Sequence, residues 1–155
     1  MAAGPTIVSC PGCATRNRVR PTAQGTPRCS VCHQPLPWVV SAAADGFDEE
    51  IAASVAVLVD LWAPWCGPCR MLSPIVEQMG REFAGRLKVV KLNVDDAPAI
   101  SARYGVQGIP LLLVIKAGRE VDRVTGAVPA ARLRELLERH VASAAGAGAG
   151  APNTP

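Results

Sequence analysis

Aromatic residues are scarce in this chain of 155 residues: they make up 4% of it, so any hydrophobic core must be mainly aliphatic. Long apolar runs are also lacking, since the longest span residues 55–59 and 109–115, far short of the ~18 residues that a membrane-spanning helix needs. The first ten residues have neither a basic segment nor an apolar stretch, so we expect no secretory signal and a cytoplasmic location by default. The apolar fraction of 49%, with 19% charged residues, excludes general disorder.

Acidic residues are absent from residues 1–40, and this absence divides the chain in two. Those residues hold four arginines, a charge of +4, whereas the other 12 basic residues accompany all 13 acidic ones in residues 41–155, a charge of −1. Six of the 14 prolines and four of the six cysteines also lie in the first part. The length fits one ordinary domain plus a small module. We assign residues 1–37 to a cysteine-containing module, residues 38–142 to the main domain and residues 143–155 to a disordered Ala/Gly/Pro tail.

Two Cys-x-x-Cys pairs in the module have the spacing of a four-thiolate zinc site. A segment this short and rich in proline cannot stabilise itself by burial alone. Each Cys-x-x-Cys makes a tight turn that directs two sulfurs at one point, and two such turns complete a tetrahedron with Zn–S distances near ~2.3 Å. Four protein ligands leave no open position, so we predict one structural Zn²⁺ ion. Its predicted ligands are Cys10, Cys13, Cys29 and Cys32.

Other interpretations of the module remain open. Two disulfides, or a pair of turns without metal, would use the same cysteines, although disulfides suit a secreted protein. His33 is beside Cys32, but with four cysteines available we expect it to be a surface neighbour rather than a ligand. The four arginines could suggest a nucleic-acid partner. We predict none, because no aromatic residue lies among them and +4 is a small electrostatic footprint.

From residue 38 onward, strand and helix patterns alternate. Residues 55–62 form a continuous aliphatic run, typical of a strand buried on both faces. The helix that follows has apolar residues at i, i+3, i+4, i+7 and i+11, and Pro74 inside it predicts a kink. Residues 117–119 predict a hairpin turn between the last two strands. The order β-α-β-α-β-α-β-β-α predicts an α/β fold with a mixed central sheet of about five strands and helices on both faces.

A third Cys-x-x-Cys motif, Trp65-Cys-Gly-Pro-Cys69, lies where the buried strand ends and the kinked helix begins. Free N–H groups and the helix dipole favour a thiolate there, so the pKa of Cys66 should fall below the reference value of about 8.5. Cys69, one turn into the helix, should be shielded, and it can displace a substrate from a mixed disulfide that Cys66 has formed. Half of a second metal site is disfavoured, because no further cysteine remains to complete it.

Two charged residues interrupt apolar strands. Burial of Asp60 would raise its pKa towards neutrality and make it a proton acceptor and donor for Cys69, directly or through a water. An aspartate near the strand end that reaches solvent is equally compatible with the sequence. Lys91 could be the partner of Asp60 or a surface lysine whose stem lies along the sheet. Pro110, where another strand begins, needs special geometry, for which a cis bond is one solution.

Residues 38–142 resemble the thioredoxin family in the order and spacing of their motifs. The matching segments are residues 59–71, Pro74, residues 91–95, residues 104–106, Ile109-Pro110 and Gly126-Ala127. With four cysteines ahead of that domain, the chain resembles the zinc-carrying second-thioredoxin type of bacteria. The resemblance implies a thioredoxin fold preceded by a zinc ribbon-like module. It also implies a thiol–disulfide oxidoreductase that reduces protein disulfides.

The resemblance further implies roles for individual residues. Cys66 would be the nucleophile and Cys69 the resolving thiol of a redox-active disulfide, with Asp60 as the buried proton shuttle and Lys91 nearby. Pro110 would be cis and pack against the disulfide, while the Ile109 backbone would pair with a substrate strand. The apolar docking surface would be bordered by Trp65, Gly67, Pro68, Gly126 and Ala127. The Gly-Pro pair between the cysteines is typical of the reducing members of the family, which argues against an oxidase.

Partners follow from the same resemblance. They would be proteins that contain disulfides and an NADPH-dependent thioredoxin reductase acting in trans, since this chain has no Gly-rich dinucleotide fingerprint and so no bound nucleotide. We expect a monomer. Leu111 and Gly108 stand where the family often has Thr or Ser, and both adjoin the substrate groove. The alternative function is a zinc-dependent redox-sensing or partner-binding module, in which oxidation of the zinc site regulates activity.

Overall fold

The computed structural model describes residues 5–19 and 26–141, so the predicted tail and part of the predicted module lie outside the described residues. A two-stranded antiparallel sheet consists of β1 (Thr6–Ser9) and β2 (Arg16–Val19). The other strands are β3 (Val39–Ala42), β4 (Ala56–Trp62), β5 (Leu87–Asn93), β6 (Leu111–Lys116) and β7 (Arg119–Thr125). The helices are α1 (Phe47–Ile51), α2 (Gly67–Glu82), α3 (Pro98–Arg103) and α4 (Ala130–Glu138). None of these helices has the length and hydropathy that a membrane span requires.

The main sheet has five strands in the order β3-β5-β4-β6-β7. Strands β3, β5 and β4 run parallel, whereas β6 is antiparallel to β4 and β7 to β6. The mixed α/β sheet predicted from the sequence is therefore confirmed, as is the hairpin turn. Ala117 (φ 53°) and Gly118 (φ 77°) both have positive φ, which suits a tight type I′ connection between β6 and β7. Helix α2 continues through Pro74.

Helices cover both faces of this sheet. On one face, Phe47 and Ile51 of α1 and Ile100 of α3 pack against alternate residues of β4, β5 and β6. On the other face, the apolar stripe of α2 and Leu133 and Leu137 of α4 pack against the residues of β4, β5 and β6 that alternate with the first set. Strand β4 lies between β5 and β6 and is buried along almost its whole length, which explains its continuous aliphatic sequence. Its carboxyl end leads directly to the Cys-x-x-Cys motif.

The cysteine-containing segment packs onto the main domain. Cys10, Cys29 and Leu36 belong to the same buried cluster as Phe47 of α1. Pro35 lies over the loop that precedes β5, where a Cβ on Gly85 would come 2.9 Å from the Pro35 side chain, so only glycine fits there. The segment leads into the sheet at the amino end of β3, next to the amino end of β5. At this point the backbone N–H of Val89 donates to the Trp38 carbonyl.

A buried ion pair lies at this junction, and sequence reasoning did not foresee it. The Lys88 Nζ is 2.8 Å from the Glu50 Oε1 and 4.5 Å from the centre of the Trp38 ring. All three residues are at most 2% exposed. Burial lowers the pKa of Lys88, and the Glu50 carboxylate opposes that change. The contact joins β5, α1 and the residue that precedes β3, so it fixes the position at which the segment meets the domain.

Candidate functional site

Cys66 and Cys69 form a disulfide at the amino end of α2. Cys66 is the N-cap residue of this helix, and the Cys69 backbone N–H donates to the Cys66 Sγ over 3.2 Å. Pro68 occupies the first turn, where backbone N–H groups have no intrahelical acceptor, so the N–H that proline lacks costs no hydrogen bond. The helix start was predicted here, and so was the shielding of Cys69, which is 3% exposed. Cys66 is scarcely more exposed at 4%, so in the disulfide form the two residues are buried to the same extent.

A loop with a cis proline lies beside the disulfide. The Ile109–Pro110 bond is cis, as the resemblance implied, and Ile109 packs against the cluster that contains both disulfide cysteines. The Pro110 carbonyl accepts a 2.8 Å hydrogen bond from the Gly126 N–H, which ties the following hairpin end to this loop. Gly126 has a φ of 92°, a conformation that favours glycine.

Trp65 forms one wall of a groove next to the disulfide. Its side chain is 67% exposed, and its Nε1–H donates to the Asp95 Oδ2 over 3.0 Å. The groove has a volume of about 510 Å³ and includes Ile109. Gly67, Pro68, Gly126 and Ala127, which were predicted to border the docking surface, do not line this groove, although Gly67, Pro68 and Ala127 are exposed. Sequence reasoning missed other lining residues, including Pro98, the first residue of α3, and Val94 and Val106, which lie before and after that helix.

Asp60 is buried in the middle of β4 and is 1% exposed. Burial raises its pKa to about 6, while the charge of Lys91 lowers it and that of Glu77 raises it. Its Oδ1 has no hydrogen-bond partner among the described residues. The predicted direction of the pKa shift is thus confirmed, and the solvent-reaching alternative is wrong. A cavity of about 150 Å³ lined by Asp60 and Cys69 connects the two side chains.

Lys91 lies near Asp60, as the resemblance implied, and both side chains line the same cavity. The Lys91 and Asp60 positions are paired across β5 and β4, but no ion pair within 4 Å joins their side chains in the described part of the chain. Instead, the Lys91 Nζ donates to the Ser73 Oγ over 2.6 Å and lies 3.3 Å from the Glu77 Oε2. The Lys91 side chain is 16% exposed, which is too little for a solvated surface lysine.

The family model for thioredoxin matches residues 38–139 of this chain. The chain belongs to the thioredoxin family. Thioredoxin 1 of Nostoc sp. is 46% identical over 107 residues, which cover 66% of this chain and 100% of that protein. Thioredoxin of Synechocystis sp. is 47% identical over 96 residues, 61% of this chain and 90% of that protein. A chloroplastic M-type thioredoxin of Pisum sativum is 47% identical over 91 residues, 59% of this chain and 53% of that protein.

These relatives support thiol–disulfide oxidoreductase activity, and the chain is a disulfide oxidoreductase of thioredoxin fold. In general terms, the family acts on proteins that contain disulfides and depends on reductase partners. The family match begins at residue 38, so the four N-terminal cysteines precede the thioredoxin domain.

Those four cysteines come together ahead of the thioredoxin domain. Their thiols are free, and all four sulfurs lie within 4.8 Å of one another. The Cys10 and Cys32 sulfurs are 3.4 Å apart, and those of Cys13 and Cys29 are 3.6 Å apart. Tetrahedral ligation at Zn–S distances of ~2.3 Å separates sulfurs by about 3.8 Å. The cluster therefore has the size and the donor chemistry of a four-thiolate zinc site.

The two halves of the cluster have the same backbone structure. In each, the first cysteine donates its N–H to the carbonyl five residues later and accepts at its own carbonyl from the residue four later, with distances of 2.9–3.0 Å. Ala14 and His33, the residues that follow each second cysteine, both have positive φ, 66° and 65°. Backbone N–H groups also point at sulfur, from Gly12 to Cys10 over 3.3 Å and from Val31 to Cys29 over 3.4 Å. Such donors stabilise thiolates, which are the form that binds a metal.

Proposed function

We propose that this thioredoxin reduces disulfides in other proteins by dithiol–disulfide exchange through Cys66 and Cys69. An NADPH-dependent thioredoxin reductase acting in trans would return the Cys66–Cys69 disulfide to the dithiol. The main support is the position of the Cys66 sulfur at the amino end of α2, where it accepts the Cys69 N–H. A thiolate at that position is stabilised by the free N–H groups of the first helical turn.

The exchange proceeds in two displacements. The Cys66 thiolate attacks one sulfur of the substrate disulfide, so that a mixed disulfide forms and the other substrate sulfur leaves as a thiolate and takes up a proton. Cys69 then loses its proton to Asp60 and attacks the Cys66 sulfur. The Cys66–Cys69 disulfide forms, and the second substrate sulfur leaves as a thiolate. Two electrons pass to the substrate, and the cavity between Asp60 and Cys69 provides the route for the proton.

Substrate binding would use the surface around the disulfide. A substrate strand would pair with the backbone of Ile109, next to the buried cis Pro110. Trp65 presents an exposed aromatic face on one side. Exposed Gly67 and Pro68 would border the contact on the helix side, and Gly126 and Ala127 would do so beyond the cis proline. An extended peptide is the class of ligand that fits this arrangement.

The four N-terminal cysteines would hold one structural Zn²⁺ ion. The ion would cross-link residues 1–37 into a module that packs on the thioredoxin domain of residues 38–142. A structural role is favoured over the regulatory alternative by the position of the module. It enters the sheet at the amino end of β3, whereas the disulfide follows the carboxyl end of the parallel strand β4. We propose that the protein is cytoplasmic and acts as a monomer.

An insulin-reduction assay coupled to NADPH and thioredoxin reductase tests the proposal. We expect catalytic turnover, with one NADPH oxidised for each insulin disulfide reduced, because the two-electron cycle regenerates the dithiol in every round. NADPH oxidation and insulin precipitation are followed together, with reactions lacking either the reductase or this protein as controls. The dithiol form could reduce insulin in a single turnover while thioredoxin reductase fails to re-reduce the Cys66–Cys69 disulfide. That result would contradict the proposed reductase partner but not the dithiol–disulfide exchange. No insulin reduction by the dithiol form would contradict both.

Replacing Asp60 by asparagine is expected to stabilise the oxidised protein while slowing the exchange. The folded-state pKa of about 6 lies above the unfolded value of about 3.9. The cost of ionising buried Asp60 is therefore nearly absent at pH 4 and below, grows as the pH rises from about 4 to 6, and is complete above about pH 7. We expect Asp60→Asn to raise the free energy of unfolding by about 2–3 kcal/mol at pH 8 and to leave it unchanged at pH 4. Urea unfolding at both pH values measures the change.

The matched control for this substitution is Asp96→Asn, which removes an exposed carboxylate from the loop after β5. It should alter the stability little at either pH. An equal gain for Asp60→Asn at pH 4 and pH 8 would show that ionisation of Asp60 is not the cause.

A further inference from the structure

A polar cluster on α2 and β5 forms one wall of the cavity between Asp60 and Cys69. Lys91 and Ser73 both line the cavity, and the Lys91 Nζ donates to the Ser73 Oγ over 2.6 Å. Glu77, one turn further along α2, lies 3.3 Å from the same Nζ. The ammonium group is thus held from the helix and not by Asp60, although its strand position is paired with that of Asp60.

Ser73 differs from Glu77 in where it holds the ammonium. The Glu77 side chain is 49% exposed, so this contact draws the Nζ towards solvent. Ser73 lines the cavity and is, in the described part of the chain, the one hydrogen-bond partner of the Lys91 ammonium that does so. Without the Ser73 hydroxyl, an ammonium left in the cavity would lose its closest partner in a site where desolvation is costly. It would then move outwards to Glu77 and water.

The position of this ammonium matters because few charges face Asp60. Lys91 on β5 favours the ionised carboxylate, and Glu77 on α2 disfavours it. Arg70 and Cys69 of α2 also line the cavity, while on the β6 side the paired residue is the apolar Leu112. Movement of Lys91 away from the cavity would therefore remove the main favourable charge and leave the burial cost unopposed.

We propose that Ser73 is a positioning residue that anchors the Lys91 ammonium in the cavity wall, so that Asp60 can take and return the Cys69 proton. This inference rests on the proposed function for its consequence in the reaction. The anchoring itself is a property of the oxidised protein. Glu77 acts in the opposite sense on Asp60, because its own negative charge opposes ionisation of the carboxyl group.

Titration of the Asp60 carboxyl carbon by ¹³C NMR in the oxidised protein tests the anchor without any turnover. We expect Ser73→Ala to raise the titration midpoint by about half a pH unit or more, towards the midpoint of Lys91→Met. Ser73→Thr, which keeps the hydroxyl, should restore the wild-type midpoint. Glu77→Gln should lower the midpoint. Gln78→Ala, a neighbouring change on α2, is the matched control and should not move it.

A double-substitution cycle identifies the route of the effect. In a Lys91→Met background, Ser73→Ala should no longer change the Asp60 midpoint, since there is no ammonium to hold. The same shift with and without Lys91 would overturn the proposal, as would an unchanged or lowered midpoint in Ser73→Ala. In the reduction reaction, the pH profile for release of substrate from the mixed disulfide should shift by the same amount as the NMR midpoint. If insulin is not reduced at all, the proposed function fails, but the titration still decides the anchor.

Discussion

Replacement of Cys66 by serine is expected to lower reductase-coupled insulin reduction by about three orders of magnitude or more. A serine hydroxyl at the N-cap position can still accept the residue 69 N–H, so the start of α2 should be preserved. It cannot attack a disulfide sulfur under these conditions, because the reactive species of the exchange is a thiolate. The loss should therefore be one of chemistry and not of folding. NADPH oxidation in the coupled assay measures it, and the circular dichroism spectrum should match that of the wild type.

Cys69→Ser provides the matched comparison, because it removes the second displacement and keeps the first. With Cys66 still able to attack, the reaction should stop at the mixed disulfide between Cys66 and the substrate. A non-reducing gel or mass spectrum should show a long-lived covalent adduct in Cys69→Ser and none in Cys66→Ser. Adducts in Cys66→Ser, or turnover that persists in it, would contradict the assignment of Cys66 as the nucleophile. The reverse pattern would exchange the roles of the two cysteines.

The features that the sequence predicted correctly are those that depend on local order along the chain. The aliphatic run before Trp65 predicted a strand buried on both faces, and β4 lies between β5 and β6 in the sheet. The Cys-x-x-Cys motif at the end of that run predicted a helix start, which the N-cap geometry of Cys66 confirms. For Asp60 the run alone left burial and a solvent-reaching position equally open, and the resemblance to the family favoured the burial that the structure shows.

The features that sequence reasoning missed depend on which elements meet across the fold. Lys91 was predicted to lie near Asp60, and it does, but the partners that its ammonium contacts directly, Ser73 and Glu77, come from a helix one turn and more beyond the Cys-x-x-Cys motif. The Lys88–Glu50 pair joins residues 38 positions apart, on a strand and on a short helix with no shared motif. Such contacts follow from the packing of α1 and α2 on opposite faces of the sheet. No local pattern around these residues identifies a partner so far along the chain.

The reduced protein is expected to bind one Zn²⁺ per chain, and loss of the ion should unfold the cysteine-containing module while the thioredoxin domain stays folded. Structural four-ligand zinc sites have apparent binding free energies of about 10–16 kcal/mol at neutral pH, more than the folding energy that so small a module can supply itself. We expect two thiols of the reduced native protein to react with a thiol reagent. Four more should react, with release of one zinc, when the protein is denatured. If the module instead held two disulfides, protein isolated without a reductant would contain no zinc, and denaturing it would expose no additional thiols.

The sharpest variant for this test is Cys29→Ser, because Cys29 is 1% exposed and its sulfur accepts the Val31 N–H. We expect it to lose zinc and to become sensitive to proteolysis in residues 26–37, whereas Ser30→Ala, one residue away and exposed, should keep the ion. Because the module joins the sheet at the end away from the disulfide, insulin reduction by Cys29→Ser should stay within about threefold of wild type. A thioredoxin domain that remains folded by circular dichroism but loses its activity together with zinc would favour the regulatory alternative. Retention of zinc by Cys29→Ser would show that Cys29 is not a ligand.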